Sequence, residues 1–250
     1  MKKLSSKEIG PQRINRILSL AGVTSRRKAD DLIRAGRVTH GGRVVKELGT
    51  QAVWGKESIK VDGKEIPKPS SRIYLILNKP FACISALSDP AGRPVVTDFI
   101  KNIGERVYPV GRLDFDSLGL LLLTNDGEWA YRLTHPSYHV PKTYKVTIEG
   151  QINPETLNTL KKGVRLEDGF SGPAKIALLR QGEGKSVVRM TITVGRSRIV
   201  RRMLEAAGHK VIQLIRTGFG NLDLGDLKIG EYRHLETHEV ETMKKMVGMS

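Results

Sequence analysis

The spacing of apolar positions changes several times along the chain. Near the N-terminus, "QRINRILSLAG" sets Ile14, Ile17, Leu18 and Ala21 on one face at helical spacing, and Gly22 ends the run. "SRRKADDLIRAG" repeats the pattern with Ala29, Leu32 and Ile33, opened by Ser25 as N-cap and stopped at Gly36. The period then shortens. "RVTHGGRVV" predicts two short strands around Gly41-Gly42, and "ESIKVDGKEI" a hairpin around Asp62-Gly63. "IPKPSSR" breaks the pattern, because each proline disfavours regular structure on both sides of itself. Beyond it, "RIYLILNKP", "GLLLLTND", "KTYKVTIEG", "AKIALLR", "SVVRMTITV" and "KVIQLIRTGF" predict strands, while "EWAYRLT", "PETLNTLKKG", "SRIVRRMLEAAG" and "EVETMKKMV" predict helices. The two kinds are interspersed without a regular strand–helix–strand alternation. The expected class is therefore α+β, with a mixed, mainly antiparallel sheet flanked by helices. The expected division is a basic tail (1–12), a small module (13–66), a linker (67–71) and a large domain (72–250).

Composition adds a partner. The 250 residues are 39% hydrophobic, enough for a real core, and carry a formal net charge of +16. Residues 1–71 hold 16 Lys and Arg against 7 Asp and Glu, and residues 72–250 hold 26 against 19, so the small module is the denser in positive charge. Such an excess points to a polyanion, of which nucleic acid is the commonest. Arg13, Arg16, Arg26, Arg27, Lys28, Arg34, Arg37 and Arg43 fall mostly off the apolar faces. Any one of them alone reads as a solvated surface residue, but the set reads as one basic face for RNA phosphates. No run reaches the 18 apolar residues of a membrane span, and "MKKLSSKEIGPQ" lacks the apolar segment of a signal peptide. The single cysteine, Cys83, reads as a core residue and cannot form an internal disulfide. A cytoplasmic protein without a membrane partner is expected.

The chemistry-bearing motifs are notable for what is missing. There is no G-x-x-x-x-G-K-[ST] loop, no H-E-x-x-H, no C-x-x-C and no glycine-rich dinucleotide loop. His135 and His139 are four apart, but Pro136 opposes a helix that would carry both. Neither metal nor cofactor is expected. Attention falls on three acids in "VGRLDFDSLGLLLLTNDG". Asp116 before Ser117 reads as turn chemistry, and Asp126 as a turn or N-cap residue ahead of "EWAYRLT". Asp114 differs in lying between Leu113 and Phe115, a carboxylate among apolar and basic neighbours. In "VGRSRIVRRMLEAAG", Ile199, Val200, Met203, Leu204 and Ala207 share a helical face, with Arg198 and Glu205 pointing away and Arg201 and Arg202 at the edges of the apolar arc. An edge arginine can lay its stem on the core and hold a carboxylate, although a solvated basic helix is the simpler reading of any one of them.

These residues carry a resemblance. "VGRLDFDSLGLLLLTNDG" resembles the signature G-R-L-D-x-x-[ST]-x-G-L-L-L-x-[ST]-x-D-G of the RsuA/RluB group of ribosomal RNA pseudouridine synthases. "LNKPFACISALSDPAGRPVVTDFI", "THPSYHVPKTYKVTIEG" and "VGRSRIVRRMLEAAGHKVIQLIRTGFGNLDLG" are similar to the family's other motifs, in the same order. "SRRKADDLIRAGRVTHGGRVV" is similar to the small S-four-type (alpha-L) RNA-binding domain. The resemblance spans about Arg13 to Leu235, and the segment from Ser85 to Asp98 looks closer to the large-subunit, RluB-type branch.

The resemblance implies roles. Asp114 would be the catalytic aspartate, and Arg201 the basic residue that opposes its burial by pairing with it. Tyr144 would stack on the extracted base. Arg112 would enter the RNA stack where the base leaves, and Pro80 would be structural. Lys79, even between packing and RNA contact, joins Arg196, Arg198, Arg202 and the small module's basic residues as an RNA contact. The implied function is cofactor-free isomerisation of a uridine in ribosomal RNA, of the large subunit, by a monomer. A small-subunit target, and a ribosome-assembly protein that binds RNA without chemistry, stand as alternatives. An RNA methyltransferase is disfavoured by the missing methyl-donor loop.

Overall fold

The computed structural model describes residues 10–67, 71–101 and 103–249. Most of the expected tail, residues 1–9, and residues 68–70 of the expected linker lie outside the described residues. The chain divides into two compact units, Met1–Arg72 with Ile103–Arg106, and Ile73–Asn102 with Val107–Ser250.

In the first unit, α1 (Ile14–Leu20) and α2 (Arg26–Arg34) form where the apolar spacing predicted helices. The first starts later than its pattern, because Gln12–Arg13 pairs antiparallel with Gln51–Ala52. Ser25 caps α2, its hydroxyl accepting from the Lys28 amide at 3.3 Å. Strands β1 (Val38–His40), β2 (Arg43–Val44), β3 (Ile59–Val61) and β4 (Lys64–Glu65) make an antiparallel sheet in the order β2-β1-β3-β4. Ile14, Ile17, Leu18, Ala29, Ile33, Val38, Trp54 and Ile59 form its core. Arg106, from the second excursion of the chain into this unit, donates to the Thr24 carbonyl at 3.1 Å.

The second unit is built on one mixed sheet. Its main strands are β5 (Tyr74–Lys79), β6 (Leu118–Thr124), β7 (Lys142–Glu149), β8 (Lys175–Gly182), β9 (Lys185–Ile192), β10 (Val211–Phe219) and β11 (Tyr232–His234). They lie in the order β8-β9-β7-β10-β6-β5-β11. Neighbours are antiparallel except β6 and β10, which run parallel with Leu118 opposite Ile215 and Gly119 opposite Arg216. Helices α3 (Gly127–Thr134), α4 (Pro154–Lys162), α5 (Ile199–Ala206) and α6 (Thr237–Met246) complete the unit.

The leucine run explains the layering. Every residue of β6 is buried. Leu120 and Leu122 pack with Ile76 against Trp129 and Leu133 of α3 and Val240 and Met243 of α6. Leu121 and Leu123 point the other way, with Leu75 and Leu77, and are as fully buried. A strand covered on both faces reads as a continuous apolar run, which is what "GLLLLT" is. Asp126 then starts α3, its Oδ1 accepting from the amides of Glu128 and Trp129 at 3.2 Å each. Among the described residues no helix is long and apolar enough to cross a membrane.

Candidate active site

The site is built around the loop that enters β6. At Gly111 the backbone has φ +72, and a Cβ there would lie 3.3 Å from the Thr134 side chain, so a glycine makes the bend. Leu113 is buried and fixed by one hydroxyl: Ser85 Oγ donates to its carbonyl at 2.8 Å and accepts from its amide at 3.1 Å. The Ser117 amide donates to the Asp114 carbonyl at 3.1 Å, closing a turn over Asp114 to Ser117. That turn presents the side chains of Asp114 and Asp116, each 36% exposed.

Three buried cations from three elements then grip the next carbonyls. Arg201 of α5 donates through Nη2 to the Asp116 carbonyl at 3.1 Å. Lys79, at the end of β5, donates to Ser117 at 2.8 Å and to Pro80 at 3.0 Å. Arg216 of β10 donates through Nε to Leu120 at 2.7 Å. A charge-assisted bond to a carbonyl is stronger than a neutral one, so the segment is held rigidly. Gly119 completes the fit. Its φ is +105, and a Cβ there would lie 2.2 Å from the Arg216 carbonyl oxygen, so the parallel pairing of β6 with β10 requires a glycine.

Sheet register brings further residues to one row. Lys79 stands opposite Gly119, Gly119 opposite Arg216, and Arg216 opposite Tyr144 on β7. Tyr144 is buried, and Lys142, two residues earlier on the same face, is buried as well. Burial pushes the Arg216 guanidinium down from its ordinary value, and Tyr144 opposes that shift. Among the described residues Arg216 Nη2 has no hydrogen-bond partner, and its guanidinium lies 5.1 Å from the centre of the Phe219 ring. Lys142 is pushed down to about 8, mainly by burial and then by Arg216.

The arginines of "VGRSRIVRRMLEAAG" divide their partners in an unexpected way. Arg201 Nη2 lies 3.1 Å from the Asp116 carboxylate, so the acid it holds is Asp116 and not Asp114. Asp116 offers it two acceptors on one residue, carbonyl and carboxylate. Arg198 Nη1 lies 3.5 Å from Asp116 Oδ2 and 3.9 Å from Asp114 Oδ2. Reading Asp116 as turn chemistry alone was therefore incomplete. Lys79, expected among the RNA contacts, is wholly buried and supports the loop from beneath. Arg196 and Arg202 are half-buried and bound to a hairpin of Arg165–Leu166 with Gly169–Phe170. Arg196 donates to the carbonyls of Asp168 at 3.0 Å and Phe170 at 2.9 Å, and both arginines pair with the Asp168 carboxylate. Arg202 beside it holds that carboxyl below the usual carboxylate range. Arg112 is exposed one residue past the Gly111 bend.

In the first unit, Arg34 pairs with Asp31 at 2.9 Å and Arg37 with Asp62 at 2.6 Å, so these two expected RNA contacts are occupied. Arg13, Arg26, Arg27, Lys28 and Arg43 are exposed and Arg16 is half-buried, and none of the six forms an ion pair among the described residues.

Ser85, Lys142 and Arg216 join the candidate site although the sequence reading passed over them, and Asp116 joins it although read there as turn chemistry. Two of them had a signal. Lys142 lies two positions before Tyr144, and so on its face. Arg216 is a charge inside the apolar run "KVIQLIRTGF". For Ser85 the sequence carries no such mark.

Residues 73–206, more than half the chain, match the RNA pseudouridylate synthase family, and residues 12–52 match the S4 domain. The chain is 46% identical over 237 residues to the ribosomal large subunit pseudouridine synthase B of Bacillus subtilis (strain 168), covering 94% of this chain and 96% of that protein. It is 44% identical over 238 residues to an RNA pseudouridine synthase of Aquifex aeolicus (strain VF5), covering 95% of each. A crystal structure of a pseudouridylate synthase superposes with a TM-score of 0.67 at 32% identity, covering 92% of this chain and 99% of that one.

Proposed function

The chain belongs to the RNA pseudouridylate synthase family, and we propose that it converts a uridine of large-subunit ribosomal RNA to pseudouridine, with Asp114 as the reagent carboxylate. The observation that carries the assignment to Asp114 is the loop itself. Its backbone is fixed on both sides of Asp114 by Ser85, Lys79, Arg201 and Arg216, while the Asp114 side chain stays open to a substrate. A rigid backbone under an accessible carboxylate is what positioning of a reacting group requires.

The reaction breaks the bond from uracil N1 to the ribose, turns the base, and joins C5 to the same ribose carbon. The proton lost from C5 is balanced by one gained at N1, so no group donor and no redox partner enters. Attack on the anomeric carbon, removal of a proton at the neighbouring sugar carbon and attack on the base all need an ionised carboxylate. Arg198 Nη1 lies 3.9 Å from Asp114 Oδ2 and would face the carboxylate in each case. Tyr144 would stack on the extracted base, and Arg112 would fill the gap left in the RNA, offsetting a flipping cost of about a few kcal/mol. The module of residues 13–66 would grip RNA phosphates through Arg26, Arg27 and Lys28, and residues 72–250 would carry the chemistry, in a cytoplasmic monomer. The large-subunit target rests on the name of the Bacillus subtilis relative.

The test has two parts. Pseudouridine mapping of ribosomal RNA from cells with and without the protein should lose a site in the large-subunit RNA; a site lost from small-subunit RNA instead would overturn the target. Asp114→Asn should reduce conversion to background while RNA binding survives. Full activity in that variant would overturn the role of Asp114.

A further inference from the structure

Asp114 and Asp116 stand two residues apart in one turn, yet the arginines treat them differently. Arg201, whose side chain is 5% exposed, spends Nη2 on the carboxylate and the carbonyl of Asp116 at 3.1 Å each. Its Nη1 points to the Val211 carbonyl at 3.4 Å, and its buried Nε has no partner among the described residues. Asp116 is thus, among the described residues, the carboxylate paired with a deeply buried guanidinium, and an uncompensated buried charge is strongly destabilising. Arg198 leans the same way. Its backbone is left-handed (φ 49, ψ 27), a conformation costly to a non-glycine residue, and its side chain reaches both oxygens of Asp116 at 3.5 Å but Asp114 only at 3.9 Å.

The division has a chemical meaning. A carboxylate that reacts with a substrate needs an oxygen free of strong partners, and one clasped by a buried guanidinium is poorly placed to react. A nearby positive charge nevertheless favours its ionised form. Both needs are met if the guanidinium is anchored on a neighbouring acid.

We propose that Asp116 is a positioning residue of the isomerisation, holding Arg201, and with it Arg198, alongside the Asp114 carboxylate and off its reacting oxygens. This rests on the reading of Asp114 as the reagent. Without the Asp116 charge, Arg201 loses its carboxylate partner, and Asp114 is the other acid of the same turn. The reagent then becomes the anchor, and turnover falls while RNA contacts elsewhere persist.

The experiment uses the full-length chain and unmodified large-subunit ribosomal RNA transcribed in vitro, reading single-turnover rate and RNA affinity separately. A displacement of about 1 Å can cost roughly a hundredfold in rate, so Asp116→Asn and Asp116→Ala should slow conversion about tenfold to a hundredfold, with affinity within about twofold. Asp116→Glu should recover part of the rate. In an Arg201→Ala background, Asp116→Asn should cost little more, because the residue it acts through is gone. If the alanine variant fails to fold, the near-isosteric Asp116→Asn carries the test. Wild-type rate in Asp116→Asn beside an inactive Asp114→Asn overturns this inference alone. An active Asp114→Asn overturns the reading of Asp114 and this inference with it. An equal loss of affinity, or an undiminished effect in the Arg201→Ala background, also overturns it.

Discussion

Lys79 and Lys142 are buried and, among the described residues, each donates to backbone carbonyls and pairs with no carboxylate. Burial pushes both down to about 8. The sign of the linkage follows. The native state binds fewer protons than the unfolded chain between about pH 8 and the ordinary lysine value near 10.5. Stability therefore carries the full penalty of the buried charges below about pH 8 and recovers as the pH climbs through that window. Urea unfolding between pH 7.5 and about 9.5 should show stability contributed by these groups rising in the wild type and rising less in Lys79→Met. Equal rises in both would show that Lys79 does not titrate there. At this scale the sequence was legible where a residue's neighbours along the chain decide its role, as for Asp126 at the start of α3. It was not legible where residues far apart decide it. Nothing in "LDFDS" says which acid Arg201, some 85 residues on, will hold.

Among the elements, the helices were the most readable, because each displays its buried stripe at a spacing of three and four. The strands were readable one by one, but the order of the sheet was not. Its parallel pair joins β6 to β10, almost a hundred residues apart, and no local pattern announces that contact. The trace it leaves is Gly119, an interruption ahead of the leucines whose reason lies on β10. Gly119→Ala would combine a disfavoured backbone with a collision against the Arg216 main chain, which cannot move without breaking the row that ends at Tyr144. It should destabilise the second unit by at least about 1–3 kcal/mol and lower turnover as well, measured by urea unfolding and by the conversion assay. Leucine truncation in the same strand offers a contrast. Leu122→Ala should cost about 2–5 kcal/mol of stability and leave the turnover of the folded fraction largely intact, since Leu122 packs toward α3 and α6.

For the whole molecule, the count of 42 Lys and Arg overstates how many cations are available to a polyanion. Arg34, Arg37, Arg196 and Arg202 are already paired with acids, and Lys79, Lys142, Arg201 and Arg216 are buried. Counting charges in the sequence cannot separate these from Arg26, Arg27 and Lys28, which are exposed and form no ion pair among the described residues. Removing any one of those three should weaken RNA binding and flatten its dependence on salt by about 0.7 to 0.9 per charge, read as the slope of log affinity against log salt.

Asp168 gives this count a thermodynamic edge. It lies between Arg196 and Arg202 as a counterion supplied by the protein, and two guanidinium groups so partnered attract fewer mobile anions from solution. An RNA phosphate taking that place would exchange one fixed counterion for another and release little into the buffer. Contacts of RNA with these two arginines should therefore add less to the salt dependence of binding than contacts with Arg26, Arg27 and Lys28.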